Sequence, residues 1–430
     1  MTEAMITLRR AIEALRAGVP NRDAVRVLGC SQPHIEEMFQ QQLGECPTLS
    51  ADGKQVPGLL VMGGFGSGKS HLLEHLHHAA LEQGFVSSRI VISKETPLFD
   101  PSKLYRAAID AAVVPDKKGS ALREIAQTLD RAPGYPSFYQ RVTSDTSEFD
   151  TRFAASLVVY ENAKGRDIDL CDRVVSFWSG HKLNVTEFRK ALKQCGEAVT
   201  YPIGKIAPRD LALQRFRFAT QLMLAAGYPG WVLLFDEVEL ICRYSLLQRA
   251  KSYAEFARRM GALKGETVPG MVTVFASTDD LGLAVLEKDE DQVPAKLAVR
   301  DSDGDSLLSS QARCGMRKLR EAVALTPPDR AMIEETKEKL RQVHAQAYDW
   351  SPPPARFAGE VLTTTRMRTY VRSWINQWDL ERLYPGYTAE IETKEIQTTL
   401  EEDRDLEHTS DPNEESEWGA AHQSVVREGC

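Results

Sequence analysis

Residues 58–83 constrain this chain more than any other stretch. An apolar run, Gly58-Leu59-Leu60-Val61-Met62, leads into Gly63-Gly64-Phe65-Gly66-Ser67-Gly68-Lys69-Ser70, and a helical pattern follows from His71 to Gln83. A strand that turns through glycines into a helix turns consecutive backbone N–H groups inward, where a Cβ would strain the turn or block the approach of an anion. The start of the helix adds partial positive charge at the same point. The spacing is that of a P-loop. It assigns phosphate contacts to Gly63–Ser70 and to His71, which follows directly. Lys69 supplies the cation for the β- and γ-phosphates of ATP, and Ser70 supplies a hydroxyl for Mg²⁺.

A second stretch completes the first. Trp231-Val232-Leu233-Leu234-Phe235 is apolar throughout, as in a parallel strand buried on both faces, and it ends in Asp236-Glu237. Carboxylates at the C-terminal end of such a strand lie where α/β sheets bind ligands. Asp236 suits the Mg²⁺-associated position, and Glu237 suits the residue that polarises an attacking water. A third buried run, Gly270 to Ala276, ends in two hydroxyls, Ser277 and Thr278. The order of runs predicts an α/β fold with a parallel sheet.

At 430 residues, with 42% apolar and 27% charged residues, the chain is long enough for more than one domain and is ordinary in composition. No apolar run approaches the ~20 residues of a membrane span, and the amphipathic start, residues 1–17, lacks a signal-peptide core. Seven scattered cysteines without a CxxC pair fit reduced thiols in the cytoplasm and disfavour zinc. Residues 390–430 hold 13 acidic and 3 basic residues, so they carry −10 of charge and the remainder about +2, against a net −8. The low isoelectric point therefore belongs to the tail, and the body has no basic footprint.

The remaining segments read as follows. Helices are expected over 1–17, 22–28 and 32–43. Leu28-Gly29-Cys30, with Ile35 and Met38 beyond, has helix-turn-helix spacing, but residues 32–42 carry no Lys or Arg and two glutamates, a poor major-groove reader. A plain helical cap is the alternative. His71, His75 and His78 share one helix face, which reads as solvated rather than metal-binding. Residues 102–228 form a long helical insertion suited to contacts with a partner. Residues 238–264 are locally basic, with Arg258 and Arg259 among them, and read as a solvated or DNA-facing helix. Residues 279–312 read as an exposed loop, Arg317–Leu325 as a fifth strand, and 329–348 and 354–378 as a small helical lid. Beyond Pro385-Gly386 the acidic tail reads as disordered. The division is thus 1–50, an N-terminal helical segment; 51–325, the P-loop core; 326–386, the lid; and 387–430, the tail.

In this order the marks resemble an AAA+ ATPase of the origin-recognition type. More narrowly, Arg-Arg-Ala-Ile-Glu-Ala-Leu-Arg-Ala-Gly-Val-Pro-Asn-Arg (9–22), Gly-Gly-Phe-Gly-Ser-Gly-Lys-Ser-His-Leu-Leu-Glu (63–74) and Ile-Ser-Lys-Glu-Thr-Pro-Leu-Phe-Asp-Pro (92–101) resemble the BrxD family, ATP-binding proteins of BREX phage-defence systems. The resemblance extends over roughly residues 5–385. It implies that Val19, Pro20 and Arg22 form an adenine-side box, that Ser277, with Thr278 next, is sensor 1, that Arg313, with Arg317 a close competitor, is an arginine finger completing a neighbour's site in a homo-oligomer, and that Arg366 is sensor 2. It also implies an ATPase of anti-phage defence working beside a helicase and on DNA. An ATP-gated scaffold recruiting defence proteins without DNA contact is the alternative, and a P-loop kinase is disfavoured because no acceptor site is recognisable. Origin-type proteins add a C-terminal winged helix, which the acidic tail cannot be.

Overall fold

The apolar runs assemble into one sheet. A computed structural model describes residues 2–18, 21–197, 200–279, 283–298, 307–354 and 367–387. Helices α1 (Glu3–Ala17), α2 (Arg22–Leu28) and α3 (Pro33–Ala51) come first, then β1 (Leu59–Met62), α4 (Lys69–Glu82) and β2 (Val86–Val91). The insertion contains α5 (Pro101–Asp110), a short β3 (Ala112–Val113), α6 (Ala121–Ala126), α7 (Tyr135–Thr143), α8 (Thr151–Ala163), α9 (Ile168–Trp178), α10 (Val185–Gln194) and α11 (Pro208–Ala225). The chain returns through β4 (Trp231–Asp236), α12 (Leu246–Arg259) and β5 (Met271–Ser277). It continues as α13 (Leu283–Ala298), α14 (Leu307–Leu319), β6 (Val323–Ala324), α15 (Arg330–Tyr348) and α16 (Met367–Leu383).

The strand order is β3-β2-β4-β5-β1-β6, parallel throughout except for the β2–β3 pair. The hydroxyl-ended strand β5 therefore lies between the glycine-loop strand β1 and the carboxylate-ended strand β4. Met62 is in register with Ser277, so the ends of β1 and β5 are level. Successive side chains of a strand face opposite ways. Val232, Leu234, Val272, Val274 and Ala276 pack with α3 and α4, whereas Trp231, Leu233, Phe235, Met271 and Phe275 pack with the insertion, α12 and α14. A third core is separate from the sheet. Ile12, Leu15 and Ala24 of α1 and α2 pack with Ile333, Leu340, Tyr370, Trp374 and Trp378 of α15 and α16. Thr2 caps the start of α1 by accepting from the Met5 N–H, and Gly18 ends it at φ 75°, where a side chain would be strained.

Four expectations are corrected. Residues 283–298 and 307–319 are helical rather than loop, and the expected strand over 317–325 shrinks to Val323–Ala324. The Ser- and Gly-rich wording hid the helical stripe Ala312, Met316, Leu319. Gly315 lets α14 lie directly on α12, since a Cβ there would come 2.0 Å from the Tyr253 carbonyl oxygen. The third helix runs on to Ala51 through Pro47. The basic helix α12 is neither solvated nor a DNA surface. Arg258 and Arg259 are 4% and 1% exposed and converge on Glu255, itself 1% exposed. Arg258 also pairs with Glu266 at 2.5 Å, and Arg259 lies over the Phe216 ring at 3.6 Å. Arg249 makes a bidentate bond to the fully buried Asp289 of α13, at 2.7 and 2.9 Å. Charges so placed are compensated inside the protein and cannot meet a phosphate backbone.

Candidate functional site

The glycine loop is held open by backbone geometry that only glycine tolerates. Gly66 and Gly68 have φ of 79° and 103°, and a Cβ on Gly63 would come 2.7 Å from Ser67 Oγ. Gly68 starts α4 and accepts from the Leu72 N–H at 2.8 Å. Lys69 is buried, and its Nζ donates to the carbonyl oxygens of Gly63 and Gly64 at 2.7 and 3.0 Å. Burial pulls its pKa below the ordinary lysine value, while the charges of Glu239, Asp236 and Asp279 oppose that shift. Lys69 is thus a cation bridging two loop carbonyls, at the place where a phosphate would compete for it. The Ser67 Oγ is buried without a hydrogen-bond partner among the described residues.

Two neighbouring strands, β5 and β4, deliver the remaining groups. Gly63 donates its N–H to the Ser277 carbonyl at 3.2 Å, which ties the loop to the end of β5. The Ser277 side chain is fully buried, and its Oγ too has no partner among the described residues. Asp236, 6% exposed, accepts the Glu237 N–H at 3.0 Å. Glu237 sits at φ 60°, one of three described non-glycine residues in left-handed conformation. Holding a non-glycine residue there costs about 1–3 kcal/mol and points to a functional constraint. Desolvation and the adjacent Asp236 charge push the Glu237 carboxyl above the usual carboxylate value, while Arg368 and Lys69 act in the other direction.

Three further groups escaped the sequence reading. Glu239 accepts the Thr278 N–H at 3.2 Å, and its charge acts on Lys69. Burial raises its carboxyl as well. Asp279 lies beside Gly64, with Oδ2 3.6 Å from where a Cβ would stand. Arg368, in the first turn of α16, places its guanidinium 5.4 Å from the centre of the Phe65 ring and acts on both Lys69 and Glu237. The signal for the first two was adjacency: Asp-Glu-Val-Glu at 236–239 and Ser-Thr-Asp at 277–279. Arg368 carried no such signal.

A cleft runs from the loop to the third core. Gly66, Ser67, Gly68, Ser70 and His71 form one end. Leu15, Gly18, Leu28, Leu325, Met332, Met367 and Val371 supply an apolar wall, and Gly29–Gln32 closes one side. Gln32 fastens that side by exchanging two hydrogen bonds with the Thr326 backbone, at 3.0 and 2.8 Å. His71 donates from Nε2 to the Gly29 carbonyl at 2.7 Å, and burial lowers its pKa below the ordinary histidine value. The cleft offers the N–H groups of the glycine loop and helix start at one end and an apolar wall at the other, which suits a nucleoside triphosphate.

The expected site residues divide accordingly. Gly63–His71, Asp236, Glu237 and Ser277 come together. Val19, Pro20 and Arg366 lie outside the described residues. Arg22 is exposed on α2 and does not line the cleft, although Gly18 does. Arg313 is exposed on α14 and, among the described residues, is in no ion pair. The three histidines of α4 do not form a solvated face. His71 is engaged as above, His75 meets Glu36 of α3, and His78 meets Glu74 at 2.8 Å. No described helix is long and apolar enough to cross a membrane, and every described cysteine is a free thiol.

Comparison with known proteins agrees with this geometry. Residues 7–131 and 140–376 match the model of the BREX system ATP-binding protein BrxC/D family. No curated protein and no solved structure matches the chain. The family match takes in well over half the sequence and includes the glycine loop, Asp236, Glu237 and Ser277, so the chain belongs to the BREX system ATP-binding protein BrxC/D family.

Proposed function

We propose that this chain is a BrxD-type AAA+ ATPase that binds ATP in the cleft and hydrolyses it to drive a step of phage defence in the cytoplasm. The observation that carries the reading is the convergence of Lys69, Asp236, Glu237 and Ser277 at the C-terminal edge of three adjacent strands. In this reading Lys69 leaves the Gly63 and Gly64 carbonyls for the β- and γ-phosphates, and the loop N–H groups cradle the rest. Ser70 and Asp236 offer the hard oxygen donors that Mg²⁺ selects, and the ion would neutralise phosphate charge when bound. Glu237 orients and polarises the attacking water, and its raised pKa brings it closer to a working base. Ser277 Oγ, buried and without a hydrogen-bond partner among the described residues, serves the γ-phosphate or that water. Arg368 joins Arg366 as a candidate for the lid arginine's role, because it reaches Phe65 of the loop.

The lid in this reading is the four-helix unit of α1, α2, α15 and α16, so that one rigid cluster bears on the base side of the cleft. Its position against the loop then depends on what the loop holds. The arginine finger remains assigned to Arg313, supported by its exposure on α14. Coupling to DNA or to a partner helicase rests on the family resemblance, and Arg258 and Arg259 take no part in it. The test is ATP turnover by the purified protein with and without single- and double-stranded DNA. Stimulation by either supports a DNA-linked ATPase. ATP binding with turnover indifferent to DNA supports the ATP-gated scaffold, and no ATP binding at all refutes the site.

A further inference from the structure

The helix behind the glycine loop holds a second set of chemistry-bearing side chains. His71 and His78 are accounted for by the Gly29 carbonyl and by Glu74. His75 differs. Its Nε2 meets the Glu36 carboxylate of α3, and the Cys30 sulfur from the α2–α3 turn joins them, so that the three donor atoms lie within 4.8 Å of one another. All three residues are partly buried. They come from three separate places in the chain, and nothing in the proposed ATP chemistry uses them.

We propose that Cys30, Glu36 and His75 form a binding site for a zinc-class divalent cation. A thiolate, an imidazole and a carboxylate are the donors that select zinc over Mg²⁺ or Ca²⁺. Zinc–ligand bonds of about 2.0–2.3 Å in a tetrahedron place donor atoms about 3.3–3.8 Å apart, within small side-chain adjustments of the present arrangement. The surroundings fix the donors in the way outer groups fix metal ligands. The His71 bond to the Gly29 carbonyl pins the turn carrying Cys30 onto α4, one helical turn from His75. Three protein ligands leave the fourth position for water. The turn that the ion would hold, residues 29–32, is also one side of the cleft, next to Gly66–Ser70. The metal therefore clamps the cleft wall to the helix that starts at Lys69.

The test uses the full chain, stripped with a chelator and then dialysed against zinc chloride alone or cobalt chloride alone. One equivalent of zinc per chain should be retained. The cobalt protein should show the near-ultraviolet absorption of a thiolate–cobalt bond with the visible bands of a tetrahedral site. Cys30→Ser should abolish the near-ultraviolet band, and both Cys30→Ser and His75→Gln should weaken metal retention by at least about tenfold. His78→Gln, on the same helix, should retain the metal. Circular dichroism checks that each variant is folded. Retention below about a tenth of an equivalent by the folded wild-type chain overturns the site. So does metal binding that both Cys30→Ser and His75→Gln leave undiminished, because the ligands would then lie elsewhere, His408, His422 and Cys430 being available in the tail.

Discussion

Ser277→Ala is the substitution in which stability and activity should move in opposite directions. The Ser277 hydroxyl is 0% exposed and has no hydrogen-bond partner among the described residues. Leaving a hydroxyl buried and unpaired costs about 1–3 kcal/mol. Alanine removes that cost and opens a void of one oxygen atom in strand β5, on the face where Met271 and Phe275 pack. The net gain to the unliganded protein is about 1 kcal/mol. Scaled to a chain of this length, that raises the melting temperature by about 1–3 °C. If the hydroxyl serves the γ-phosphate or the attacking water, turnover should fall by about 10²-fold, as when one preorganised donor is removed. ATP should also raise the melting temperature less in the variant than in the wild type. Differential scanning fluorimetry with and without ATP, beside a phosphate-release assay, reads all three quantities. A variant that melts lower and turns over ATP at the wild-type rate would refute the reasoning, because the hydroxyl would then be a structural partner and not a reserved one.

Other outcomes follow from the same geometry. Lys69→Ala should lose both ATP-induced thermal stabilisation and turnover. Glu237→Gln should still be stabilised by ATP while hydrolysis drops by about 10²-fold or more. A base must be ionised to work, and the Glu237 pKa lies above the usual carboxylate value, so wild-type turnover should decline as pH falls through that raised value. A pH–rate profile of the residual activity of Glu237→Gln should lack this limb. Glu255→Gln leaves the buried Arg258 and Arg259 without their shared counter-charge, at a cost of about 3–5 kcal/mol, visible as a lower urea midpoint or loss of soluble protein. The charges of these arginines outweigh the burial that would raise the Glu255 pKa, and they hold it below the ordinary value. That contribution is therefore present above the ordinary carboxylate range and lost as pH falls through the depressed pKa. Mixing Arg313→Ala with Lys69→Ala protein should partly restore turnover if the finger acts between subunits, whereas no rescue returns Arg313 to the surface of α14.

The sequence by itself determined the edge of the sheet where the candidate site lies. Glycines at 63, 66 and 68 fit a turn where a side chain would clash or strain the backbone, and Trp231–Phe235, with the largely apolar Met271–Ala276, read as strands covered on both faces. Local chemistry of this kind survives any tertiary arrangement. What lies across from a residue does not. The α4 histidines lay off the apolar stripe of their own helix, and only the packing of α3 brings Glu36 to His75. The basic stretch of α12 read as surface because periodicity records one helix's own face, whereas the sheet, α13 and α14 cover it from other sides. Glu255, three and four residues before Arg258 and Arg259, was the one local hint that these charges were spoken for. Arg368 became part of the site only when α16 folded back beside α1 and reached Phe65. Pairing across long sequence separations is decided by which surfaces must leave water together, and that is a property of the folded chain and of no single stretch within it.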